Sequence, residues 1–143
     1  MSADADVKFF LDTNVLIYAV DRGEPAKQAV ARELIKSEGS KGRCVVSTQV
    51  LQEFYVTATR KLGIESLRAR RLVDLMMKFE VVGVQPGQVR DAIDLSILNQ
   101  FSLWDSLVLI SASTANCGVL LSEDLSNGQV VNGVRIENPF ADL

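Results

Sequence analysis

Short apolar runs bounded by charge alternate along this chain with segments whose apolar positions recur every three or four residues. The first kind reads as buried strand and the second as amphipathic helix. Val7–Leu11, Cys44–Val46, Phe79–Val84 and Val119–Leu121 are predicted strands, with Val134–Ile136 as a candidate fifth. A short helix is expected over Thr13–Val20. A longer one over Ala26–Ser37 has apolar positions 26, 29, 30 and 34, and Pro25 stands ready at its first turn. After a loop at Gly39–Gly42, Ser47 or Thr48 can cap a third helix with a stripe at 50, 51, 54, 55, 58 and 62, closed by Gly63. Helices are also predicted over about 65–78 (Leu67, Leu72, Leu75 and Met76 inward), about 88–99, and Leu103–Asn116 with Gly118 as its stop. Asn127-Gly128 and Asn132-Gly133 mark turns. Buried strands alternating with helices imply an α/β fold, a mostly parallel central sheet of four or five strands with helices on both faces. At 143 residues, without repeats or a linker, residues 1–143 are expected to form one domain. In such sheets, ligands bind beyond the carboxyl ends of the strands.

Composition narrows the chemistry. The chain has no histidine. That excludes a Ser-His-Asp or Cys-His triad, a histidine-ligated zinc site and any imidazole acid, base or pH switch. The net charge is −3, from 15 basic against 18 acidic residues, so no broad basic surface exists to bind nucleic acid by phosphate neutralisation alone. Cys44 and Cys117 sit in apolar runs without metal or redox spacing and read as buried reduced thiols, as expected of a cytoplasmic protein. Met1–Lys8 lacks the pattern of a signal peptide. The longest uncharged stretch, Ser106–Ser122, has 17 residues, several of them polar; it reads as a buried helix and strand, not a membrane span.

Four acids stand where the expected topology puts ligands. Asp12 follows the first strand and Asp124 lies just past the fourth. Glu53 is about one and a half turns into the third helix, and Asp105 opens the apolar helix. Each has a local alternative: Asp12 as a helix cap, Asp105 in a capping box with Ser102, Glu53 in a salt bridge, Asp124 as a turn residue. Clustered, they would repel unless cations neutralised them or some stayed protonated. An all-oxygen set selects Mg²⁺ or Mn²⁺ over zinc, and such an ion acidifies a water that can attack a phosphodiester. Without these four, 14 acids face 15 bases, so nearly all the negative excess fits in one cleft.

Five segments carry a family resemblance. They are Phe9-Phe10-Leu11-Asp12-Thr13-Asn14-Val15-Leu16, Ser47-x5-Glu53, Leu103-Trp104-Asp105-Ser106-Leu107, Leu120-Leu121-Ser122-Glu123-Asp124-Leu125 and Gly133-Val134-Arg135-Ile136-Glu137-Asn138-Pro139-Phe140. In these, over essentially the whole chain, the sequence resembles the PIN-domain ribonucleases, specifically the VapC-type toxins of prokaryotic toxin–antitoxin pairs. The resemblance implies a three-layer α/β/α fold and metal-dependent endonucleolytic cleavage of RNA. It implies Asp12, Glu53, Asp105 and Asp124 as catalytic and metal-binding residues, with Asn14 and Ser122 orienting a carboxylate or a water. Many members have Thr in place of Ser122, which keeps the hydroxyl. It also implies a homodimer and an antitoxin partner that occupies the cleft.

RNA contact would need cations, and Arg60, Lys61, Arg68, Arg70 and Arg71 put five in twelve residues, either as an RNA-binding surface or as a solvated helix face. Trp104 is expected to pack in the core, with stacking on a base as the alternative. A PIN-like domain that binds RNA or protein without cutting is the competing function. A phospho-acceptor receiver would want an Asp after the third strand, which ends Val82-Gly83-Val84-Gln85, and a haloacid-dehalogenase-like phosphatase an Asp-x-Asp where this chain has Asp12-Thr13-Asn14. With no imidazole, cleavage rate should rise with pH and show no acid limb from histidine near about pH 6.5. A bell-shaped optimum at about pH 6–7, measured on a defined RNA, would contradict this.

Overall fold

A computed structural model describes residues 6–143. Met1–Ala5, part of the segment read as lacking a signal pattern, lie outside the described residues. In chain order the elements are β1 (Phe9–Leu11), α1 (Thr13–Tyr18), α2 (Pro25–Ser40), β2 (Cys44–Ser47), α3 (Thr48–Arg60), α4 (Ser66–Met76), β3 (Glu80–Val82), α5 (Pro86–Asn99), α6 (Leu103–Thr114), β4 (Val119–Leu121), β5 (Val130–Val131) and β6 (Val134–Glu137). The strands form one six-stranded sheet in the order β3-β2-β1-β4-β6-β5, parallel except for the β5–β6 hairpin. This is the expected α/β architecture. Helices α1 to α4 pack on one another, while α5 pairs with α6, which lies against β2, β4 and β6.

The chain winds outward from β1 through β2 to β3, then returns to lay β4 on the other side of β1. Strand order therefore reverses between β1 and β4. The crevice beyond their carboxyl ends is where sheets of this kind hold ligands. Register makes the crevice exact to a residue: Phe9, Phe10 and Leu11 pair with Val119, Leu120 and Leu121, so both strands end at the same level. Phe10, Leu11, Val45, Val46 and Leu120 are fully buried, as a central parallel sheet covered on both faces requires.

The sheet has one strand more than expected. Val130-Val131 and Val134 close a hairpin on Asn132-Gly133, both with positive φ (50° and 78°). A two-residue Asn-Gly connection between β-branched residues is a strong hairpin signal; read only as a turn, it hid β5. Phe79–Val84 contracts to the three residues of β3, at the sheet edge. Helix α2 runs on to Ser40, taking half of the expected loop, and its inward face is 30, 31, 34 and 35, with Ala26 and Ala29 exposed. Helix α4 likewise turns Ala69 and Met76 inward and leaves Leu67 and Leu75 about half exposed (47% and 56%). In both, an alanine (Ala31, Ala69) is the most deeply buried residue of the helix. Helix α6 stops at Thr114, and Asn116 (φ 60°) makes the left-handed turn expected of Gly118. Gly118 serves close approach: a Cβ there would lie 3.0 Å from Val7 Cγ1.

Cys44 and Cys117 are buried free thiols, and burial pushes them up to about 11 and about 12. Among the described residues no single helix is long and apolar enough to cross a membrane. Phe10, fully buried two residues before Asp12, tests how the core supports the crevice. Phe10→Ala should lower the unfolding free energy by about 3–5 kcal/mol in urea titration.

Candidate active site

Asp12 is the N-cap of α1, its Oδ1 accepting from Thr13 N (2.8 Å). Its other oxygen, Oδ2, accepts from Ser122 Oγ (2.8 Å), which the level ends of β1 and β4 bring alongside. The capping and site-facing interpretations of Asp12 therefore coexist, one oxygen for each. Ser122 Oγ in turn accepts from Asp124 N (3.3 Å), and Asn14 Nδ2, in the first turn of α1, donates to Asp124 Oδ2 (2.6 Å). A chain of hydrogen bonds thus links Asn14, Asp124, Ser122 and Asp12 across the two strand ends.

Two helices complete the site. Ser47, fully buried at the end of β2, caps α3 by accepting from Val50 N (3.2 Å). From there Gln49, Glu53 and Thr57, four residues apart, share one helical face toward the crevice. Ser102 caps α6 by accepting from Asp105 N (3.0 Å). The reciprocal half of the expected capping box, from the Asp105 carboxylate back to Ser102, is absent among the described residues. That carboxylate faces the cleft instead. Asp12, Thr13, Asn14, Gln49, Glu53, Thr57, Trp104, Asp105, Val108 and Asp124 line one cavity of about 120 Å³. Among the described residues no lysine or arginine lines it.

Electrostatics are strained accordingly. Burial pushes the Asp12 carboxyl up, the bonds from Ser122 and Thr13 oppose this, and the charges of Asp105 and Asp124 add to the rise. Glu53 is exposed as a whole residue, yet desolvation at the cleft wall raises its carboxyl, with Gln49 opposing and Asp12 and Asp105 adding. Two buried oxygens at the same wall, Gln49 Oε1 and Thr13 Oγ1, have no hydrogen-bond partner. Such groups call for a ligand or water. Among the described residues no three acidic or cysteine side chains converge tightly enough to grip one ion directly.

Sequence reasoning missed several contributors. Gln49 was recoverable, since it stands one turn before Glu53. Tyr18, Lys27 and Glu123 had no local signal: Lys27 Nζ donates to Glu123 Oε2 (2.7 Å) across 96 positions, and Tyr18 OH donates to Glu123 Oε1 (2.6 Å). Burial alone would raise Glu123, but these two bonds outweigh it and hold the carboxyl low. The trio anchors the loop next to Asp124. The expectation for Trp104 is overturned. It is 64% exposed at the cleft rim, because α6 turns Ser106, Leu107 and Val108 to the core. Arg60 and Lys61 end α3 and Arg68, Arg70 and Arg71 lie on α4; all five are exposed and outside the cleft, with Arg68 lining one neighbouring pocket beside Arg22 and Arg70 another beside Tyr55 and Glu65.

A family model for the PIN domain matches residues 9–126, a span that contains all four acids. The chain belongs to the PIN-domain family. Among solved structures, this PIN domain is similar to VapC20 of Mycobacterium tuberculosis, a sarcin–ricin loop cleaving toxin (TM-score 0.70, 16% identity, 82% of this chain and 90% of that one). It is similar too to a toxin–antitoxin complex from Klebsiella pneumoniae (0.68, 18%, 93% and 98%). The same holds for DNA-bound VapBC from Salmonella typhimurium (0.68, 22%, 93% and 98%). At these identities the likeness establishes a shared fold. No curated protein sequence matches the chain.

Asp12 offers a thermodynamic test. Because its folded-state value is raised, the protonated form favours folding; that contribution is present below the unfolded value and is lost as pH rises through the folded one. Ionised Asp12 therefore destabilises the metal-free fold at neutral pH. Asn at this position keeps an acceptor for Thr13 N and can donate to Ser122 Oγ. In EDTA at neutral pH, Asp12→Asn should melt at a higher temperature than the native protein, and the gap should close as pH falls through the Asp12 transition. A lower Tm at neutral pH would contradict the assignment.

Proposed function

We propose that this PIN domain is an endoribonuclease that hydrolyses RNA phosphodiester bonds with Mg²⁺ or Mn²⁺, and that it acts as the toxin of a toxin–antitoxin pair. The observation that carries the reading is the convergence of Asp12, Glu53, Asp105 and Asp124 on one small cavity at the strand-order reversal, with no basic group in its lining. An uncompensated acidic cleft of this kind fits a hard cation. The donor set is all oxygen, the chemistry that favours Mg²⁺ or Mn²⁺ over softer ions.

In this reading Asp12, Asp105 and Asp124 hold the ion, directly or through water. When bound, Mg²⁺ or Mn²⁺ acidifies a water and stabilises negative charge on the phosphate oxygens. Glu53 orients the attacking water and takes its proton, a role that its raised carboxyl suits. Ser122 fixes the rotamer of Asp12, and Asn14 fixes that of Asp124. The tyrosine–lysine–glutamate anchor keeps the Asp124 loop from recoiling as charge changes nearby. No covalent enzyme intermediate is needed. Arg60, Lys61, Arg68, Arg70 and Arg71 attract the RNA backbone from outside the cleft.

The toxin assignment draws on the similar structures, two of which are toxin–antitoxin or VapBC complexes. It is supported by two uncovered apolar surfaces. Val89, Ile93 and Ile97 form an exposed stripe on α5, suited to a second copy of the chain. A groove of about 160 Å³ lined by Leu16, Ala19, Val20, Ile35, Leu72, Leu75, Met76 and Phe79 suits an antitoxin segment. A cytoplasmic location belongs to the same reading.

Defined RNAs incubated with the protein should be cut in Mg²⁺ or Mn²⁺ and left intact in EDTA. Asp12→Asn should lower the cleavage rate by about 100-fold or more. Cleavage that persists in EDTA, or survives Asp12→Asn unaltered, would contradict the metal-nuclease reading, and no cleavage with either metal would leave the PIN domain as a binding module instead.

A further inference from the structure

The cleft accounts for a phosphate and its ions but leaves the rest of the nucleotide without a partner. Besides Val108 and Trp104, its lining is carboxylates, amides and hydroxyls around a space of about 120 Å³, too small for a nucleoside. A base attached to a phosphate in that space must therefore lie outside it, at the rim. The five cations of α3 and α4 offer it nothing, because they attract the backbone whatever base it carries.

The rim carries one feature that folding does not explain. Trp104 is the only tryptophan in the chain, and 64% of it is exposed. A large aromatic left in water forfeits the burial that ordinarily stabilises a fold. Its neighbours on α6 show that the helix had inward positions to offer: Ser106, Leu107 and Val108 are all buried. The residue is nevertheless firmly mounted. Gln49 Nε2, on α3, donates to Trp104 O (3.3 Å), and the Ser102 cap lies two residues before it. Trp104 thus presents a ring to solvent from a fixed backbone, beside Asp105 and at the edge of the acidic cavity.

We infer that Trp104 is a stacking platform for an unpaired RNA base adjacent to the bond that is cut. The inference deepens the RNA-directed reading of the cleft and rests on it. A base can offer its face to the indole only when it has left a helical stack, so the substrate class is single-stranded RNA or the loop of a structured one. Stacking of this kind tolerates every base, so Trp104 selects for unpaired conformation, not for sequence.

A single tryptophan makes the test direct, since the fluorescence of the whole protein reports this one ring. In a Glu53→Gln background with Mg²⁺, a short unstructured RNA should quench the emission, and the same strand annealed to its complement should not. Separately, in RNA cleavage by the otherwise native protein, Trp104→Leu should raise the half-saturating RNA concentration by about 5- to 150-fold, the loss of one base–aromatic stack. Trp104→Phe, which keeps a ring, should recover most of it. Both variants should melt within a few degrees of the native protein, the ring being exposed.

Unchanged fluorescence with RNA, equal quenching by duplex, or a Leu variant that saturates like the native protein would each overturn the proposal. Emission that depends on protein concentration but not on RNA would overturn it too, and would assign the ring to a contact with a second copy. If RNA quenches the ring but the native protein cuts no RNA with either metal, the nuclease reading falls while the stacking assignment stands. If the native protein cuts and the Leu variant is indistinguishable from it, the reverse holds.

Discussion

The level ending of two parallel strands is the constraint on which everything else in this protein depends. Leu11 and Leu121 pair across β1 and β4, so the residues that follow them, Asp12 and Ser122, must stand side by side. A shift of one residue in either strand would turn a side chain to the opposite face and part the pair. The register is held by the apolar residues that precede it. Phe10, Leu11, Leu120 and Leu121 are all buried in this alignment. The core thereby positions the chemistry, and α1 and the Asp124 loop inherit their places from it.

The cavity is built against local stability. Three aspartates and a glutamate share a space from which solvent is partly excluded, and two of them are raised by that exclusion and by one another. The surrounding bonds do not relieve this repulsion; they fix where it occurs. Asn14 and Ser122 restrain the orientation of Asp124 and Asp12, and Glu123 is drawn to Lys27, away from the acids beside it. The loop between β4 and β5 is tethered from its far side, so the site is held open without a lid.

The sequence allowed the α/β order, the buried strands and the acids at strand ends to be read, because each is a local property. Asp12 and Asp124 are legible from the strands they follow, and Glu53 and Asp105 from the caps that start their helices. Partnerships between distant residues are not legible in this way. Nothing near Lys27 announces Glu123, and nothing near Gln49 announces the carbonyl of Trp104. Periodicity alone also failed to set rotation. On α2 and α4 the apolar residues outnumber the inward positions, and the pattern does not say that Ala31 and Ala69 are the ones most deeply covered. Trp104 shows the same limit: α6 is apolar almost all round, so its pattern does not reveal that Ser106 and Ser111 face the core while position 104 falls at the cleft.

The two margins of the sheet carry a consequence of a different kind. One edge is β3, three residues long, with Glu80 held by Lys8 (2.9 Å); the other is β5, only two residues, turned back on β6 by its hairpin. Neither leaves a run of free backbone groups long enough to recruit a further strand. Growth of the sheet by edge-to-edge addition, the route to fibrous aggregation, is closed at both ends. Whatever assembles with this chain must recognise the side chains of its helices, where a single substitution can tune or abolish the fit without disturbing the crevice between β1 and β4.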